Sequence, residues 1–352
     1  MPDALPPPNI SAGRAALDRL WARGTSFLGT RTAIMGGAMS WVSERNLVAA
    51  ISNAGGFGVI ACGSMGPALL EAEIAATKAR TDKPFGVNLI TMHPQLDELV
   101  QVCIRARVGH VVLAGGIPPG AAVRAVKDGG AKLIAFAPAL VLARRLVRSG
   151  ADALVIEGSE AGGHIGPVSL SVLAQEILPH VHDVPIFVAG GLGRGEAILS
   201  YLEMGASGAQ LGTRFAAATD SIAHPRFKQA FIRASSRDAL PSVQLDARFP
   251  VIPVRGLVNA GTRRFLEHQA TVVARFIAGE LTREAAQLDI EHFWAGALRR
   301  AVIDGDVDEG SVMAGQSVGM VQAEQPVAEI IETLIAQAAT SLVARGHVPA
   351  GS

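Results

Sequence analysis

Between residues 33 and 211, a short apolar strand followed by a helix recurs eight times, and this repetition limits the folds open to the chain. Apolar runs flanked by glycine or proline predict the strands. Because a helix follows each strand, the strands are expected to be parallel. Eight such units without a long interruption favour an α/β fold, the TIM (β/α)8 barrel, with an open doubly wound sheet as the alternative. The predicted strands cover residues 33–37, 58–61, 85–90, 110–114, 132–136, 152–156, 185–189 and 207–211.

Composition agrees with a large buried core and argues against several classes of partner. The 352 residues are 49% hydrophobic and 18% charged, and 39 glycines suit tight turns between strands and helices. The formal net charge is zero, so no nucleic-acid partner is expected. We find no signal-peptide pattern and no uncharged apolar run of about 18 residues, so no membrane partner is expected. Cys62 and Cys103 lack CxxC spacing, which favours a cytoplasmic protein without a disulfide framework.

The chain is predicted to divide into four segments. An N-terminal lead-in contains one short helix, at 17–21, and the barrel follows it. After the eighth strand, helical patterns without convincing strand alternation predict a helical insertion or cap domain. The chain then returns to the barrel, and an amphipathic pattern predicts the helix that closes it. The segments are 1–28 (lead-in), 29–214 (barrel), 215–310 (insertion) and 311–345 (return), with insertion helices at 225–235, 259–279 and 282–300 and the closing helix at 326–343.

A glycine-rich stretch after the sixth strand surrounds a single histidine. Residues 158–166 contain four glycines, and His164 lies among them. Glycine lets the backbone approach a ligand closely, and histidine is the side chain whose ordinary pKa lies nearest neutrality. The stretch therefore predicts a ligand site, with a plain turn carrying a surface histidine as the alternative. Glu157 and Glu160 flank it, and Glu160 could be only a loop residue.

Two further glycine clusters predict a phosphate site. Ala189, Gly190 and Gly191 follow the seventh strand, and Gly212 and Thr213 follow the eighth. In (β/α)8 barrels, the loops after these two strands frequently bind phosphate through backbone N–H groups at a helix N-terminus. The alternative is a pair of turns that merely end the strands.

Three weaker signals lie elsewhere, two at strand ends and one in a turn after the insertion. Gly37, Ala38 and Met39 could let a flat ring lie against the backbone, or Met39 could cap the core. Asn88 ends an otherwise apolar strand, so its amide needs a partner, either a ligand or a neighbouring backbone group. Gln316 and Ser317 form a glycine-framed turn that could bind a ligand or cap a helix. The histidines lack metal-ligand spacing, so no metal site is expected.

Together, six segments resemble the nitronate monooxygenase (2-nitropropane dioxygenase) family, which includes the flavin-type enoyl-[acyl-carrier-protein] reductase. The resemblance extends in order over about residues 30 to 340. It implies a TIM barrel that contains FMN and carries a helical second domain. The segments are 37–41, 83–88, 157–166, 189–191, 212–215 and 311–316.

The resemblance also implies roles for individual residues. His164 would be the catalytic residue. Two positions depart from the family pattern: Ala38 stands where relatives often carry glycine or proline, and Phe136 where some nitronate-oxidising members have a lysine near the flavin. The implied FMN phosphate site is Gly190, Gly191, Gly212 and Thr213, beside Ala189, and the implied isoalloxazine site is Gly37, Ala38, Met39, Asn88, Glu157, Gly162, Gly163, Gln316 and Ser317.

The first function that the resemblance implies is a nitronate monooxygenase, which oxidises alkyl nitronates or nitroalkanes with O2. His164 would be the base that takes the α-proton. Alternatives are an NAD(P)H-dependent enoyl-[acyl-carrier-protein] reductase, in which His164 would protonate the α-carbon, and an NAD(P)H:quinone reductase. A non-redox phosphate-binding TIM barrel or a non-catalytic flavin-binding protein represents another class. The expected partner is a small-molecule substrate, and a homodimer is one option for the assembly.

Overall fold

Eight parallel strands form the largest sheet of the computed structural model, which describes residues 10–249 and 251–346. The eight strands are β1 (Ile34–Gly36), β2 (Gly58–Ala61), β3 (Phe85–Ile90), β4 (His110–Ala114), β5 (Lys132–Phe136), β6 (Ala153–Glu157), β8 (Ile186–Ala189) and β9 (Gly208–Leu211). Four further strands, β7 (Gly163–His164), β10 (Ala239–Pro241), β11 (Val254–Leu257) and β12 (Val312–Met313), form a second, smaller sheet. The spatial order of the eight is β1-β9-β8-β6-β5-β4-β3-β2, so each lies beside the barrel strands that precede and follow it in the chain.

Backbone hydrogen bonds between β1 and the start of β2 close the sheet into a ring. The Phe57 N–H donates to the Ile34 carbonyl at 2.9 Å, and the Gly36 N–H donates to the Phe57 carbonyl at 2.9 Å. The predicted TIM barrel is therefore confirmed, and the open doubly wound sheet is excluded. All eight strands predicted for the barrel are present, each within two residues of its predicted bounds.

Helices surround the barrel, and one follows each of its strands, as the sequence predicts. Their starts have local causes: the Glu44 carboxylate accepts from the N–H groups of Asn46 and Leu47 before one helix, and Pro67 occupies the first turn of the next. The helices are α1 (Ile10–Leu20), α2 (Ala22–Leu28), α3 (Arg45–Asn53), α4 (Pro67–Lys78), α5 (Leu96–Arg105), α6 (Gly120–Asp128), α7 (Leu140–Arg148), α8 (Leu170–Ile177), α9 (Gly195–Glu203), α10 (Thr213–Ala216), α11 (Pro225–Arg233), α12 (Ala260–Ile277), α13 (Arg283–Val302) and α14 (Val327–Ala344), with 3₁₀ turns at Ser236–Asp238 and Gln316–Met320.

The N-terminal segment is more ordered than the single short helix predicted for it. From Ile10 onward it forms α1 and α2, and α1 packs along α14, where Gly13 lies against the Ala339 carbonyl. Helix α14 is long and apolar enough to cross a membrane by length and composition, yet its apolar residues, such as Ile331 and Leu334, are buried in the barrel layer. The prediction that α14 closes the barrel agrees with this packing. The proline-rich start of the lead-in, residues 1–9, lies outside the described residues.

Aromatic side chains fill the N-terminal end of the barrel. The ring of Phe27, from α2, lies 5.2 Å from the His110 ring and 6.2 Å from the Phe187 ring, centroid to centroid. Phe57 contacts the other side of His110, at 4.9 Å. The His110 Nε2 is 3.0 Å from the Phe27 carbonyl, and burial lowers the pKa of His110 to about 4. This end is therefore a packed plug, so a ligand can enter only from the opposite end.

The predicted insertion domain contains a small antiparallel sheet as well as helices, so the prediction of a purely helical segment was wrong. Strand β11 is central: β10 pairs along one edge, and β7 and β12 pair along the other. β10 and β11 are only three and four residues long, and each contains a residue that weakens a strand pattern, Pro241 and Gly256. Two of the strands that pair with β11, β7 and β12, lie outside 215–310. The small sheet therefore forms through pairing with distant segments and not through local sequence preference.

Candidate active site

Three polar side chains point into the barrel near the carboxyl ends of the strands. They are Asn88, Glu157 and Gln210, and the strand register determines which way they face. Glu157 pairs with Ala189, and Ala189 pairs with Gln210. Ala189 is two residues beyond the inward-facing Phe187, and paired residues of parallel strands share a face, so Glu157 and Gln210 face inward. On β3, Gly86 pairs with the inward-facing His110. Asn88 lies two residues beyond Gly86 on the same strand, so the Asn88 side chain also faces inward.

Glu157 is a carboxyl group held in an unusual environment. No hydrogen bond to its side chain is present within residues 10–249 and 251–346. The carboxyl keeps some accessible surface but lies deep in the barrel mouth, and this burial raises the pKa of Glu157 to about 8. At neutral pH the group is therefore mainly protonated and can donate a hydrogen bond to a ligand as well as accept one.

Asn88 and Gln210 have different partners. The Asn88 amide donates to the Val112 carbonyl at 3.3 Å, so a neighbouring backbone group uses one of its N–H bonds. The Gln210 side chain is 7% exposed and has no hydrogen bond within the described residues. Gln210 is a site candidate that the sequence prediction did not include, although its signal is the same as at Asn88: a polar residue near the end of an apolar strand.

The loops after β8 and β9 present backbone donors at the same end of the barrel. The N–H groups of Gly190, Gly191, Gly212 and Thr213 have no acceptor in the part of the chain that the structure describes. Gly190 and Gly191 adopt φ angles of 96° and 69°, and a Cβ on Gly190 would lie 2.9 Å from the Gly158 carbonyl oxygen. Glycine is therefore required in this loop, and its unpaired donors form a cradle suited to an anion.

The loop after β1 lies against the loop after β9. Gly37 donates its N–H to the Leu211 carbonyl at 2.8 Å, and the Met39 sulfur lies 3.4 Å from the position that a Cβ on Gly212 would take. Ser43 fixes this loop: its hydroxyl donates to the Gly37 carbonyl and accepts from the Met39 N–H. Ala38, between them, packs against the core. The predicted segment 37–39 is thus adjacent to the predicted phosphate loop.

The turn that contains Gln316 and Ser317 closes over the glycine loop after β6. The Gln316 N–H donates to the Glu160 carbonyl at 2.9 Å, and the Gly315 N–H donates to the Thr213 hydroxyl at 3.0 Å. A Cβ on Gly162 would lie 2.5 Å from the Gly315 nitrogen, so only glycine permits this approach. Side-chain capping of the 3₁₀ turn is not observed. The Glu160 carboxylate instead accepts from the Leu170 N–H, at the start of α8.

His164 lies in the small sheet and not within the barrel. It pairs with Val254 on β11, its side chain is 41% exposed, and its Nε2 is 3.1 Å from a Glu291 carboxylate oxygen on α13. Gly163, beside it, has a φ of 76°. No hydrogen bond within the described residues joins His164 to Asn88, Glu157 or Gln210. A catalytic role for His164 stays a prediction.

The structure gathers the other predicted residues at one end of the barrel. No group of three or more histidine, cysteine, aspartate or glutamate side chains that could hold a metal occurs among the residues described. The (β/α)8 barrel thus presents unpaired backbone donors after β8 and β9, beside inward-facing polar groups, within the part of the chain that the structure describes.

Comparison with known proteins then identifies the family. The model of the nitronate monooxygenase family matches residues 22–101 and 94–337. The chain therefore belongs to the nitronate monooxygenase family, whose enzymes are flavin-dependent oxidoreductases.

Similar proteins carry different names. A (3aS,4S,5R,7aS)-5-hydroxy-7a-methyl-1-oxo-octahydro-1H-indene-4-carboxyl-CoA dehydrogenase of Mycobacterium tuberculosis is 30% identical over 90% of this chain and 96% of its own. A probable nitronate monooxygenase of Staphylococcus saprophyticus is 26% identical over 81% and 94%. The structure of FabK from Thermotoga maritima superimposes with a TM-score of 0.81 at 36% identity, covering 93% of this chain and 99% of that one.

Proposed function

We propose that this protein is an FMN-dependent oxidoreductase that acts on an acyl thioester. The observation that carries the cofactor is the set of unpaired N–H groups at Gly190, Gly191, Gly212 and Thr213. They would hold the FMN phosphate, and the Thr213 hydroxyl, which already accepts from Gly315, would donate its own hydrogen. Within the described residues no side chain accepts from these N–H groups, so the residues present fit a phosphate.

The polar groups in the barrel mouth fit the edge of an isoalloxazine ring. That edge carries carbonyl oxygens and ring nitrogens, and the protonated Glu157 carboxyl and the Gln210 amide supply donors for them. Asn88, Met39 and the Gln316 turn would bound the ring on its other sides. Bound FMN would supply the electron transfer, and the protein supplies binding, orientation and proton transfer.

In this proposal His164 moves the proton at the carbon next to the reacting carbonyl. One ring nitrogen, Nε2, is bonded to Glu291, which leaves Nδ1 to exchange a proton with the substrate. Glu291 would hold the ring in one orientation and one tautomer, as an orienting carboxylate does for other histidine bases. Glu291 is therefore a positioning residue.

The similar proteins support a thioester ahead of a nitronate as the substrate. The carboxyl-CoA dehydrogenase, at 30% identity, covers more of this chain than the probable nitronate monooxygenase does. Phe136, at the end of β5, also departs from the lysine that the family resemblance gives to some nitronate-oxidising members. Both observations favour a thioester.

A nitronate is the second candidate, and the family match supports it. Nitroalkanes and thioesters both carry an acidic α-proton beside an electron-withdrawing group. The same base and the same cofactor would therefore serve either substrate, and only the groups that bind the rest of the molecule would discriminate.

One set of assays tests both candidates. The purified protein is scanned for flavin absorbance, mixed anaerobically with NAD(P)H, and assayed with crotonyl-CoA and, in air, with propyl nitronate. Rapid loss of flavin absorbance with NAD(P)H and turnover of the thioester support the first proposal. Oxygen-dependent oxidation of the nitronate without thioester turnover would replace it with the second. A colourless protein that does not bind added FMN would overturn both.

A further inference from the structure

Trp41, in the loop after β1, adopts a backbone conformation that tryptophan rarely takes. The Val42 N–H donates to the Met39 carbonyl at 3.0 Å, so residues 39–42 form a turn in which Trp41 holds the third position. Its φ is 66°, a value that such turns ordinarily give to glycine or asparagine. A bulky residue with a positive φ is strained, and such strain persists only where surrounding contacts fix the residue. The contacts of the Trp41 side chain must therefore hold this backbone in place.

Those contacts lie on α13, the helix that also carries Glu291. The Trp41 Nε1–H donates to the Ala295 carbonyl at 3.2 Å, and the Arg299 guanidinium carbon lies 5.8 Å from the centre of the Trp41 ring. Glu291, Ala295 and Arg299 are spaced four residues apart, so they share one face of the helix. At the rise of an α-helix, the Trp41 contact lies about 6 Å along α13 from Glu291. One helical face therefore meets two loops of the barrel mouth, the one that holds Trp41 and the one that holds His164.

The Trp41 contact lies where α13 passes between two hydrophobic cores. Before Ala295, the side chains of Ile290 and Trp294 pack in the core of the insertion. After it, Leu298 and the last two residues of the helix pack in the barrel core. Glu291 belongs to the first part of the helix. Its position relative to the barrel mouth therefore depends on how α13 is held at this boundary.

The loop that contains Trp41 also reaches the proposed flavin site. The Ser43 hydroxyl donates to the Gly37 carbonyl and accepts from the Met39 N–H, and the Ser43 N–H donates to the Met39 carbonyl at 2.8 Å. The loop after β1 is therefore one hydrogen-bonded unit. At Gly37 and Met39 this unit would border bound FMN, and at Trp41 it holds α13.

We propose that Trp41 is a positioning residue that links the flavin site to His164. Trp41 would hold α13, and with it Glu291, in the place from which Glu291 orients the His164 ring. Because the same loop would border bound FMN, cofactor binding should steady this helix. Trp41 would act through Glu291, and the inference rests on the proposed function, in which His164 moves a proton.

Amide hydrogen exchange tests the link without a measurement of turnover. Trp41→Phe keeps an aromatic ring but removes the N–H donor, so the α13 amides before Ala295 should exchange several-fold faster than in the wild type. In the wild type, FMN should slow the exchange of these amides, and Trp41→Phe should lose most of that protection. Amides of the variant that exchange as slowly as those of the wild type, or that FMN protects to the same extent, would overturn the proposal.

The matched control is Trp21→Phe. The Nε1–H of the buried Trp21 also donates at 3.2 Å, to the Asp18 carboxylate one helical turn away, so this variant loses a bond of the same kind. It should change the melting temperature but neither the exchange of α13 nor its response to FMN. If Trp41→Phe does not fold, Trp41→Asn replaces it, because asparagine tolerates a positive φ, and it should show the same loss of protection.

Kinetic assays separate this role from general damage. Trp41→Phe should lower kcat about tenfold and leave KM nearly unchanged, since a misplacement of about 1 Å can cost up to about 10²-fold in rate. In the His164→Ala background the same substitution should have no further effect, because residues that act as a unit are not additive. An equal proportional loss in both backgrounds would overturn the proposal.

Failure of the link and failure of the proposed function are distinguishable. A yellow, redox-active protein in which Trp41→Phe changes neither the exchange of α13 nor turnover overturns only the link. If His164→Ala keeps full turnover while FMN protects α13 only when Trp41 is present, the proposed role of His164 fails. The link between the flavin site and the helix then stands.

Discussion

Burial gives Glu157 a chemistry that a surface carboxyl lacks, and this has a consequence for stability. Its pKa is raised from 4.5 to about 8 in the folded protein. The unfolded chain therefore loses this proton as pH rises from about 4.5, while the folded protein keeps it up to about 8. The stability of the wild type should be unaffected by this group below pH 4.5 and should fall between pH 4.5 and 8.

We accordingly predict that Glu157→Gln stabilises the FMN-free protein at pH 8 and has little effect at pH 4.5. The difference should reach a few kcal/mol, since one pKa unit corresponds to about 1.4 kcal/mol. Urea unfolding at both pH values measures it, with the exposed Glu71→Gln as a control that follows the wild type. A variant that gains nothing at pH 8 would show that the Glu157 carboxyl is ionised in the folded state.

At His164, the prediction concerns turnover. His164→Ala should lower kcat by about 10²- to 10⁴-fold, the usual contribution of a general acid or base, while the protein keeps its FMN. His182→Ala, which removes an exposed imidazole whose hydrogen bond within the described residues is to the Pro179 carbonyl, is the control and should keep full activity. Unchanged turnover in His164→Ala would remove this residue from the mechanism.

Glu291 should act through His164 and not by itself. Glu291→Gln keeps the size of the side chain and removes its charge, so it should reduce kcat less than His164→Ala does and leave KM nearly unchanged. It should also change the pH profile of kcat, which a purely structural role would not do. An additive effect of the two substitutions in the double variant would contradict the assignment, because residues that act as a unit are not additive.

At the scale of elements, the contact between α1 and α14 depends on one missing side chain. A Cβ on Gly13 would lie 2.4 Å from the Ala339 carbonyl oxygen, so Gly13→Ala must push the two helices apart. We expect a loss of about 1 to 3 kcal/mol, typical of overpacking. Gly296→Ala is the matched control: it is also a helical glycine, but nothing lies within 4 Å of its added Cβ, and alanine there should be neutral or stabilising. Urea unfolding compares the two.

Elements of the barrel could be predicted from sequence because their signals are local. The barrel strands are largely apolar runs flanked by glycine or proline, as in 153–157, and some helices have a local start signal such as Glu44 or Pro67. Strands β10 and β11 could not be found this way, because they acquire partners only when distant segments meet. The same limit applies to Glu291: nothing near it in the sequence indicates that it reaches a histidine 127 residues away.

For the whole molecule, the cofactor should act as a structural link. The proposed FMN site uses loops after β1, β6, β8 and β9 together with the Gln316 turn, so FMN would bind only the folded chain. At 100 times its Kd, FMN should stabilise the protein by about 2.7 kcal/mol, seen as a rise in Tm.

Gly191→Ala should abolish this rise in Tm, because its Cβ would lie 3.0 Å from the Glu160 Cβ in the cradle and its φ of 69° disfavours alanine. Gly205→Ala controls for the strain, because Gly205 also has a positive φ, of 106°, but open space around it, and it should keep the FMN response. Retention of the full response by Gly191→Ala would place the phosphate elsewhere.

The edge of β11 that pairs with both β7 and β12 makes the insertion dependent on its host. Residues 163–164 come from before the insertion, and 312–313 come after it, yet both complete the same short sheet. In a fragment of 215–310 expressed alone, β11 would lack its partners β7 and β12. In a barrel from which 215–310 was removed, β7 and β12 would both lack β11. The helices of this segment could therefore be exchanged while β11 is kept, whereas the segment could be moved to another barrel only together with β7 and β12, the strands that pair with it.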